Sequence, residues 1–493
     1  MKSGTYILSI DQSTSTTKAL LFDERGNLSS RYDVPHRQIV NDKGWVEHDM
    51  AEILRNLKTA AAHVIQQAAI EPSQIVSVSL SNQRETAVVW DKRTGECVYP
   101  AIVWQCPRAA GICKNLENKA ATIKARTGLN LSPYFSAAKF AWIYKNVLKA
   151  QELAEINQLV CSTVDSFLIY HLSEEHAIKT EYSNASRTQL LNLRTLQWDE
   201  EICSYFDLSS SFLPQLCDSN SLFGHTTLFG LLPKSVPLCG VLGDSQGALF
   251  AQGCLDPGMV KATYGTGSSI MMNIGEKPVH SDNLVTSIGW CLDGKPTFVL
   301  EGNINYTGAT IQWLVEDVKL LSSAKEAGIL AAQAKPSPGL YLVPAFSGLG
   351  APYWDGQARA MICGMSRTTG KNELIRAAEE SIAYQISDIL FLMNDESGFP
   401  CTNLRVDGGP TNDSFLMQFQ ADSIQTEVRV AALEELSGQG PALLSGLALG
   451  FYDQDIVLQK EAKVLYKPIL SPVEQKKNHE GWKKAVQMVL KTD

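Results

Sequence analysis

The chain opens on a hairpin whose turn is made almost wholly of small hydroxyl residues, and the same layout returns in its second half. Tyr6-Ile-Leu-Ser-Ile-Asp11 is a short β-rich run, Gln12-Ser-Thr-Ser-Thr-Thr17 a small polar turn, and Lys18-Ala-Leu-Leu-Phe-Asp23 a second run. Apolar runs around a short polar turn predict a β-hairpin. After the turn cluster Leu255-Asp-Pro-Gly258, Met259-Val-Lys-Ala262 leads into Tyr264-Gly-Thr-Gly-Ser-Ser269 and back through Ile270-Met-Met-Asn-Ile274. We read this as an internal repeat that opens a second domain near Leu255, giving domains over residues 1–254 and 255–493. On pattern alone, two such hairpins in a long chain also fit coincidence. Between them, Ile53, Leu54, Leu57, Ala60, Ala61 and Val64 recur on one helical face behind Asp49, which fits an N-cap. Ile75-Val-Ser-Val-Ser-Leu80 alternates as a strand, and residues 372–393 place Leu374, Ala378, Ile382, Ile386 and Leu390 on one face of a long helix. Strands alternating with helices predict an α/β architecture around a largely parallel or mixed sheet.

A length of 493 residues accommodates two or three domains. The net charge of −9 comes with no dense Lys/Arg stripe. Lys476-Lys477 and Lys483-Lys484 read as a solvated helix face, so a nucleic-acid partner is not expected. Eleven cysteines without a C-x-x-C pair fit reduced thiols in a cytoplasm rather than a disulfide or zinc framework. No apolar run approaches the ~18 residues that span a bilayer, and MKSGTYILSI leaves no room for a signal peptide. A cytoplasmic protein without membrane insertion is the expectation.

Several segments carry candidate chemistry. The bend at Ser13, Thr14, Ser15 and Thr16 offers converging backbone N–H groups and hydroxyls, with Lys18 close behind; such a bend can cradle phosphate oxygens. Tyr264-Gly-Thr-Gly267 is a second loop of this kind. An ordinary hairpin turn accounts for either loop alone, but with Asp11 and the Gly408-Gly409 turn they point toward nucleotide binding. Neither a P-loop nor G-x-G-x-x-G occurs; Gly364-Met-Ser-Arg-Thr-Thr-Gly-Lys-Asn has the wrong spacing. Asp11 and Asp244 each end a buried-looking strand, where α/β sheets bind ligands, and such a carboxylate can hold Mg²⁺ or take a proton. Taken alone, Asp244 reads better as a helix N-cap. Arg84 beside Glu85 can grip two neighbouring hydroxyls, one as donor and one as acceptor; a surface salt bridge reads the same from spacing. The eight histidines lack metal-ligand spacing, and no G-x-S-x-G anchors hydrolase chemistry.

Taken in order, these stretches resemble the FGGY family of carbohydrate kinases, most closely its glycerol kinase branch. The resemblance rests on Asp11-Gln-Ser-Thr-Ser-Thr-Thr-Lys18, Gly44-Trp-Val-Glu-His-Asp49, Asn82-Gln-Arg-Glu-Thr86, Thr163-Val-Asp-Ser166 and Glu181-Tyr-Ser-Asn-Ala-Ser-Arg187. In the second half it rests on Tyr264-Gly-Thr-Gly267, Phe346-Ser-Gly-Leu-Gly-Ala-Pro-Tyr-Trp354 and Arg405-Val-Asp-Gly-Gly409. It implies two ribonuclease-H-like domains of the actin/hexokinase type, closing on ATP, Mg²⁺ and a small polyol or sugar. It also implies that Asp244 is the catalytic base, and that Asp11 and Asp244 lie near the metal. Arg84, Glu85, Trp104, Tyr134, Asp244, Ser245 and Ser269 fall at acceptor positions. Thr14, Ser15, Thr16, Lys18 and Thr266 fall at the phosphates, and Gly308, Gln312, Gly409 and Asp413 along the adenosine cleft. Homodimers and homotetramers are common in such a family.

The chain departs from the glycerol kinase pattern at the acceptor. Gly243-Asp-Ser-Gln246 replaces G-D-Q-Q, and Ser269 replaces the aromatic after the G-T-G turn. Lys18 stands for Arg, a point charge in place of a fork; Trp104-Gln-Cys-Pro-Arg108 replaces W-Q-D-R-R, and Asp413 an Asn. Two serines in place of a Gln and an aromatic leave a void costing on the order of a few kcal/mol if empty. The expectation is an acceptor longer than glycerol: a tetritol, a pentitol or a ketopentose. The alternatives are refilling by neighbouring side chains with glycerol as substrate, a xylulokinase-type ketose kinase, and a non-catalytic actin-like nucleotide switch.

Overall fold

The computed structural model describes residues 4–433, 435–453, 455–458 and 462–490. The extreme ends of the two expected domains, residues 1–3 and 491–493, lie outside them. The first half builds β1 (Tyr6–Gln12), β2 (Thr16–Phe22), β3 (Leu28–Pro35), α1 (Met50–Ala68), β4 (Ile75–Asn82), β5 (Leu222–Thr226), β6 (Val236–Gly243) and α2 (Asp244–Ala251). The second builds β7 (Met259–Tyr264), β8 (Ser268–Gly275), β9 (Val285–Leu292), β10 (Lys295–Ile304), α3 (Gly308–Glu316) and α4 (Lys371–Ser397). It continues with β11 (Asn403–Asp407), α5 (Ser414–Ile424), β12 (Val428–Ala431), α6 (Leu436–Ala448), β13 (Ala462–Tyr466) and α7 (Pro472–Val489).

The strands form two main sheets, in the orders β5-β6-β4-β1-β2-β3 and β9-β10-β8-β7-β11-β12-β13. The repeat seen in the sequence holds well beyond its hairpin. In the first sheet β1 pairs antiparallel with β2 and β2 with β3, while β1, β4 and β6 run parallel. In the second, β7 pairs antiparallel with β8 and β8 with β10, while β7, β11 and β12 run parallel. Two ribonuclease-H-type sheets therefore stand in one chain. Asp49 caps α1 by accepting the Ala51 N–H at 2.9 Å, and Ile53, Leu57, Ala60, Ala61 and Val64 are buried. Helix α4 runs further than its periodicity predicts and stops at Gly398, whose φ of 73° is left-handed. Ile375 takes the core position expected of Leu374.

Helix α6 belongs to the second half of the chain but packs on the first sheet. Ser9 Oγ donates to the Gly438 carbonyl at 2.7 Å, and the hydroxyls of Ser77 and Ser445 meet at 2.7 Å. It crosses α2 with backbones almost touching: a Cβ on Gly440 would lie 2.1 Å from the Gly247 carbonyl oxygen. Glycine is the residue that lets this crossing close, and the crossing ties the two lobes together at the base of a cleft.

Candidate active site

A cleft of about 1190 Å³ opens at the carboxyl ends of the parallel strands of both sheets, where α/β folds bind ligands. Strand β6 delivers Asp244, the loop after β4 delivers Arg84, and the turns after β7 and β11 deliver Gly265, Gly267 and Gly408-Gly409. Gly408 has a φ of +100°, and a Cβ there would lie 2.0 Å from the Tyr264 carbonyl oxygen. Only glycine fits that approach of one turn upon the other.

Asp244 is the first residue of α2 rather than its cap, which is Gly243. Its side chain is 34% exposed; Oδ1 accepts the Ser245 N–H at 2.6 Å and lies 3.0 Å from Arg84 Nε. Oδ2 accepts no hydrogen bond among the described residues. Arg84 is 7% exposed, and its two terminal nitrogens donate to the two oxygens of Glu301 at 3.0 and 3.3 Å. Arg84 and Glu85, adjacent in sequence, thus point to different partners, and neither makes a surface salt bridge. Buried Glu85, with a φ of 61°, accepts from Arg187 Nε. Arg187 Nη1 in turn lies 3.0 Å from Glu301 Oε2. The network runs Asp244–Arg84–Glu301–Arg187–Glu85. Burial alone would raise the Glu301 carboxyl, but the guanidiniums of Arg187 and Arg84 outweigh it and hold the group down at about 2.

The opposite wall is aromatic. The Trp104 and Tyr134 rings lie 5.3 Å apart, and Trp104 Nε1 donates to Thr14 Oγ1 at 3.0 Å. An expected acceptor residue thereby touches an expected phosphate residue. Burial pushes the Tyr134 hydroxyl up. Fully buried Lys139 donates to the carbonyls of Pro133, Tyr134 and Phe135 at 2.9, 2.5 and 2.8 Å, fixing the loop that presents Tyr134. Ser245 and Ser269 line the cleft, and the buried Ser269 Oγ has no partner among the described residues. Asn303 stands in register beside Ser269 and is exposed to the same cleft.

The remaining sites from the sequence spread around this centre. Ser15 and Thr16 complete the first turn, with Ser13 N–H donating to the Thr16 carbonyl at 3.0 Å. Thr266 is exposed, and its carbonyl accepts the N–H groups of Thr307 and Ala309 at 3.0 Å each. Gly308 N–H donates to the Gly265 carbonyl at 2.9 Å, docking that turn on the start of α3. Lys18 Nζ is engaged by Glu435 at 2.7 Å, with Asp11 at 3.8 Å. Asp11 is buried, its Oδ1 has no partner among the described residues, and burial raises its carboxyl to about 6 against the pull of Lys18. Gln312 is bonded to Glu316 at 2.9 Å on the exposed side of α3. Asp413 caps α5 by accepting the Leu416 N–H at 3.1 Å. Of the residues expected at the phosphates, metal and adenosine, Asp244 and Gly409 line the cleft; Asp11, Thr14, Ser15, Thr16, Lys18, Thr266, Gly308, Gln312 and Asp413 are not among its lining residues, and neither is Glu85 from the expected acceptor set.

Sequence reasoning missed Glu301, Arg187, Glu435, Lys139 and Asn303. Arg187 lay inside a quoted motif without a role. Glu301 had one signal, a lone carboxylate closing the apolar run Phe298-Val-Leu300. Among the described residues no helix is long and apolar enough to cross a membrane, and no cluster of three or more His, Cys, Asp or Glu is arranged to hold a metal.

The chain is similar to known proteins over nearly its whole length. Residues 6–251 match the model of the FGGY carbohydrate kinase N-terminal domain, and residues 260–449 that of the C-terminal domain. The chain is 45% identical to glycerol kinase 1 of Thermotoga maritima over 490 residues, covering 98% of this chain and 99% of that protein. It is 43% identical to the glycerol kinase of Francisella philomiragia, covering 98% of each. The crystal structure of Plasmodium falciparum glycerol kinase with ADP superposes with a TM-score of 0.94 at 33% identity, covering 99% of each chain. With both domain models matched in order and full-length relatives above 40% identity, this chain belongs to the FGGY family of carbohydrate kinases.

Proposed function

We propose that the chain transfers the γ-phosphoryl group of ATP to a terminal hydroxyl of a small polyol or sugar longer than glycerol. The observation that carries the kinase reading is Asp244: one oxygen fixed by Arg84, the other free, in a cleft shared by two glycine turns and an aromatic wall. Asp244 Oδ2 is the base that accepts the proton of the attacking hydroxyl. Arg84 donates one N–H from each terminal nitrogen to Glu301 and holds Nε 3.0 Å from Asp244 Oδ1, which leaves the second N–H of each terminal nitrogen for acceptor hydroxyls. Trp104 and Tyr134 pack on the carbon backbone, and Glu85 acts from behind through Arg187. The turns at Thr14, Ser15, Thr16 and Thr266 meet the phosphates with Lys18. Gly308 and Gly409 flank the adenosine, with Gln312 and Asp413 further out on α3 and α5. Phosphoryl transfer is mostly positioning and charge neutralisation, so the rigid Arg84–Glu301 support matters as much as the base itself.

Asp11 and Asp244 are the residues that would hold Mg²⁺. The orphaned Oδ1 of Asp11 fits that role, and a pair of carboxylates suits an ion that keeps several waters and shares its shell with phosphates. When bound, the ion neutralises phosphate charge. All eleven cysteines are free thiols, which supports a cytoplasmic setting, as does the need for ATP.

The acceptor reading rests on Ser245, Ser269 and Asn303. These small polar groups face the cleft with no large side chain of their own to fill it, and Ser269 Oγ awaits a partner. ADP release should be measured across glycerol, erythritol, pentitols and pentuloses. At least one longer acceptor should exceed glycerol by ~10-fold or more in kcat/KM, since one methylene plus a satisfied hydroxyl discriminates by roughly 10- to 200-fold. Glycerol outranking every longer acceptor would assign this chain the substrate that its relatives' names carry.

A further inference from the structure

A second cavity, of about 650 Å³, lies at the opposite end of α2 from Asp244. The first lobe lines it with Arg25 and Asn27 from the β2–β3 turn; the second lines it with Arg405 on β11 and Arg429 on β12, joined by Gln439 and Asp455. Arg405 is 8% exposed. Its Nε donates to Asn403 Oδ1 at 3.3 Å, and no carboxylate pairs with it among the described residues. Its in-register neighbours on the two flanking strands are both cations, Lys261 and Arg429. Arg429 donates from one terminal nitrogen to Glu427 at 3.1 Å, while its buried Nε has no partner among the described residues.

A buried guanidinium beside a second cation and without a carboxylate costs stability unless something compensates it. Burial, with Arg429 close by, holds the Arg405 guanidinium below its ordinary value. The fold keeps this charge at the wall of a cavity roomy enough for a small molecule, with Asp455 as the acid among its described lining residues. Guanidinium forks match the paired oxygens of phosphate and carboxylate groups.

We propose that this cavity is a binding site for a compact oxyanion, held by Arg405 and Arg429 from the second lobe and approached by Arg25 from the first. The site is separate from the Asp244 cleft and does not depend on which alcohol that cleft takes. The test is the thermal midpoint of the full chain under saturating ADP, which occupies the phosphate positions of the main cleft. Inorganic phosphate and citrate are titrated separately, with chloride at matched ionic strength as control. Phosphate, citrate or both should raise the midpoint saturably, by about 2 °C, and the responding anion tells phosphate from polycarboxylate. Arg405→Met should abolish the shift while leaving the anion-free protein as stable as the wild type or more so, because a buried uncompensated charge is removed. Arg429→Met should weaken the response without abolishing folding. A shift with neither anion, an equal shift in R405M, or an R405M protein that is less stable without anion would each overturn the site.

Discussion

Arg84 Nε lies 3.0 Å from Asp244 Oδ1, and Glu301 fixes Arg84, so the free oxygen of the proposed base depends on a carboxylate 217 residues further along the chain. That separation is why Glu301 was illegible. Arg84, Trp104, Tyr134 and Asp244 sit in short motifs whose spacing can be read locally, whereas a buried partner on a distant strand leaves no local trace. Glu301→Gln should destabilise the fold by roughly 3 kcal/mol at neutral pH, because two buried guanidiniums lose their anion. The pH dependence has a definite sign. Arg187 and Arg84 hold the folded Glu301 carboxyl at about 2, against an ordinary 4.5 and in spite of its burial, so its stabilisation is present above 4.5 and is lost as pH falls toward 2. His48, pushed by burial from 6.5 down to about 4, is neutral in the fold and loses stability as pH falls from 6.5 toward 4. Acid unfolding followed by circular dichroism should show both losses in the wild type, with the lower one absent in E301Q. An unchanged lower limb in E301Q would mean that the ion network does not hold that carboxylate.

At the level of elements, the two hairpins and helices α1 and α4 were legible because their apolar spacing and turn residues agree with their final places. Helix α6 was not. Its residues Gly438, Gly440 and Pro441 are poor helix formers, and its packing partner α2 lies far back in the chain. The Gly247–Gly440 crossing sets the distance between the helix that begins with Asp244 and the helix that leads out of the second sheet. Gly440→Ala should force these helices apart, at a cost of about 1–3 kcal/mol, and should lower kcat because α2 carries the proposed base, Asp244, at its first position. Thermal unfolding and turnover measured on the same variant check both effects. Full activity and stability in G440A would show that the crossing has slack the geometry does not reveal.

On the scale of the whole molecule, two sheets of the same order face each other across one cleft. The lobe of the first sheet carries the aromatic pair Trp104–Tyr134 and Asp244, the proposed base; the second sheet supplies the glycine turns and the polar Ser269–Asn303 edge. The two-lobed architecture was legible from the repeated hairpin and the collinear motifs. The acceptor edge was legible only as a gap, because Ser245 and Ser269 say what is missing and Asn303 lies on another strand. With the proposed acceptor and phosphate residues spread over both lobes, closure would bring a phosphate and a hydroxyl together while excluding water. If the hydroxyl loses its proton to Asp244, Asp244→Asn should lower kcat by about 10²- to 10⁴-fold on the best acceptor, with ADP affinity and thermal midpoint close to wild type. A D244N protein that turns over within a few-fold of the wild-type rate would contradict the assignment of the base.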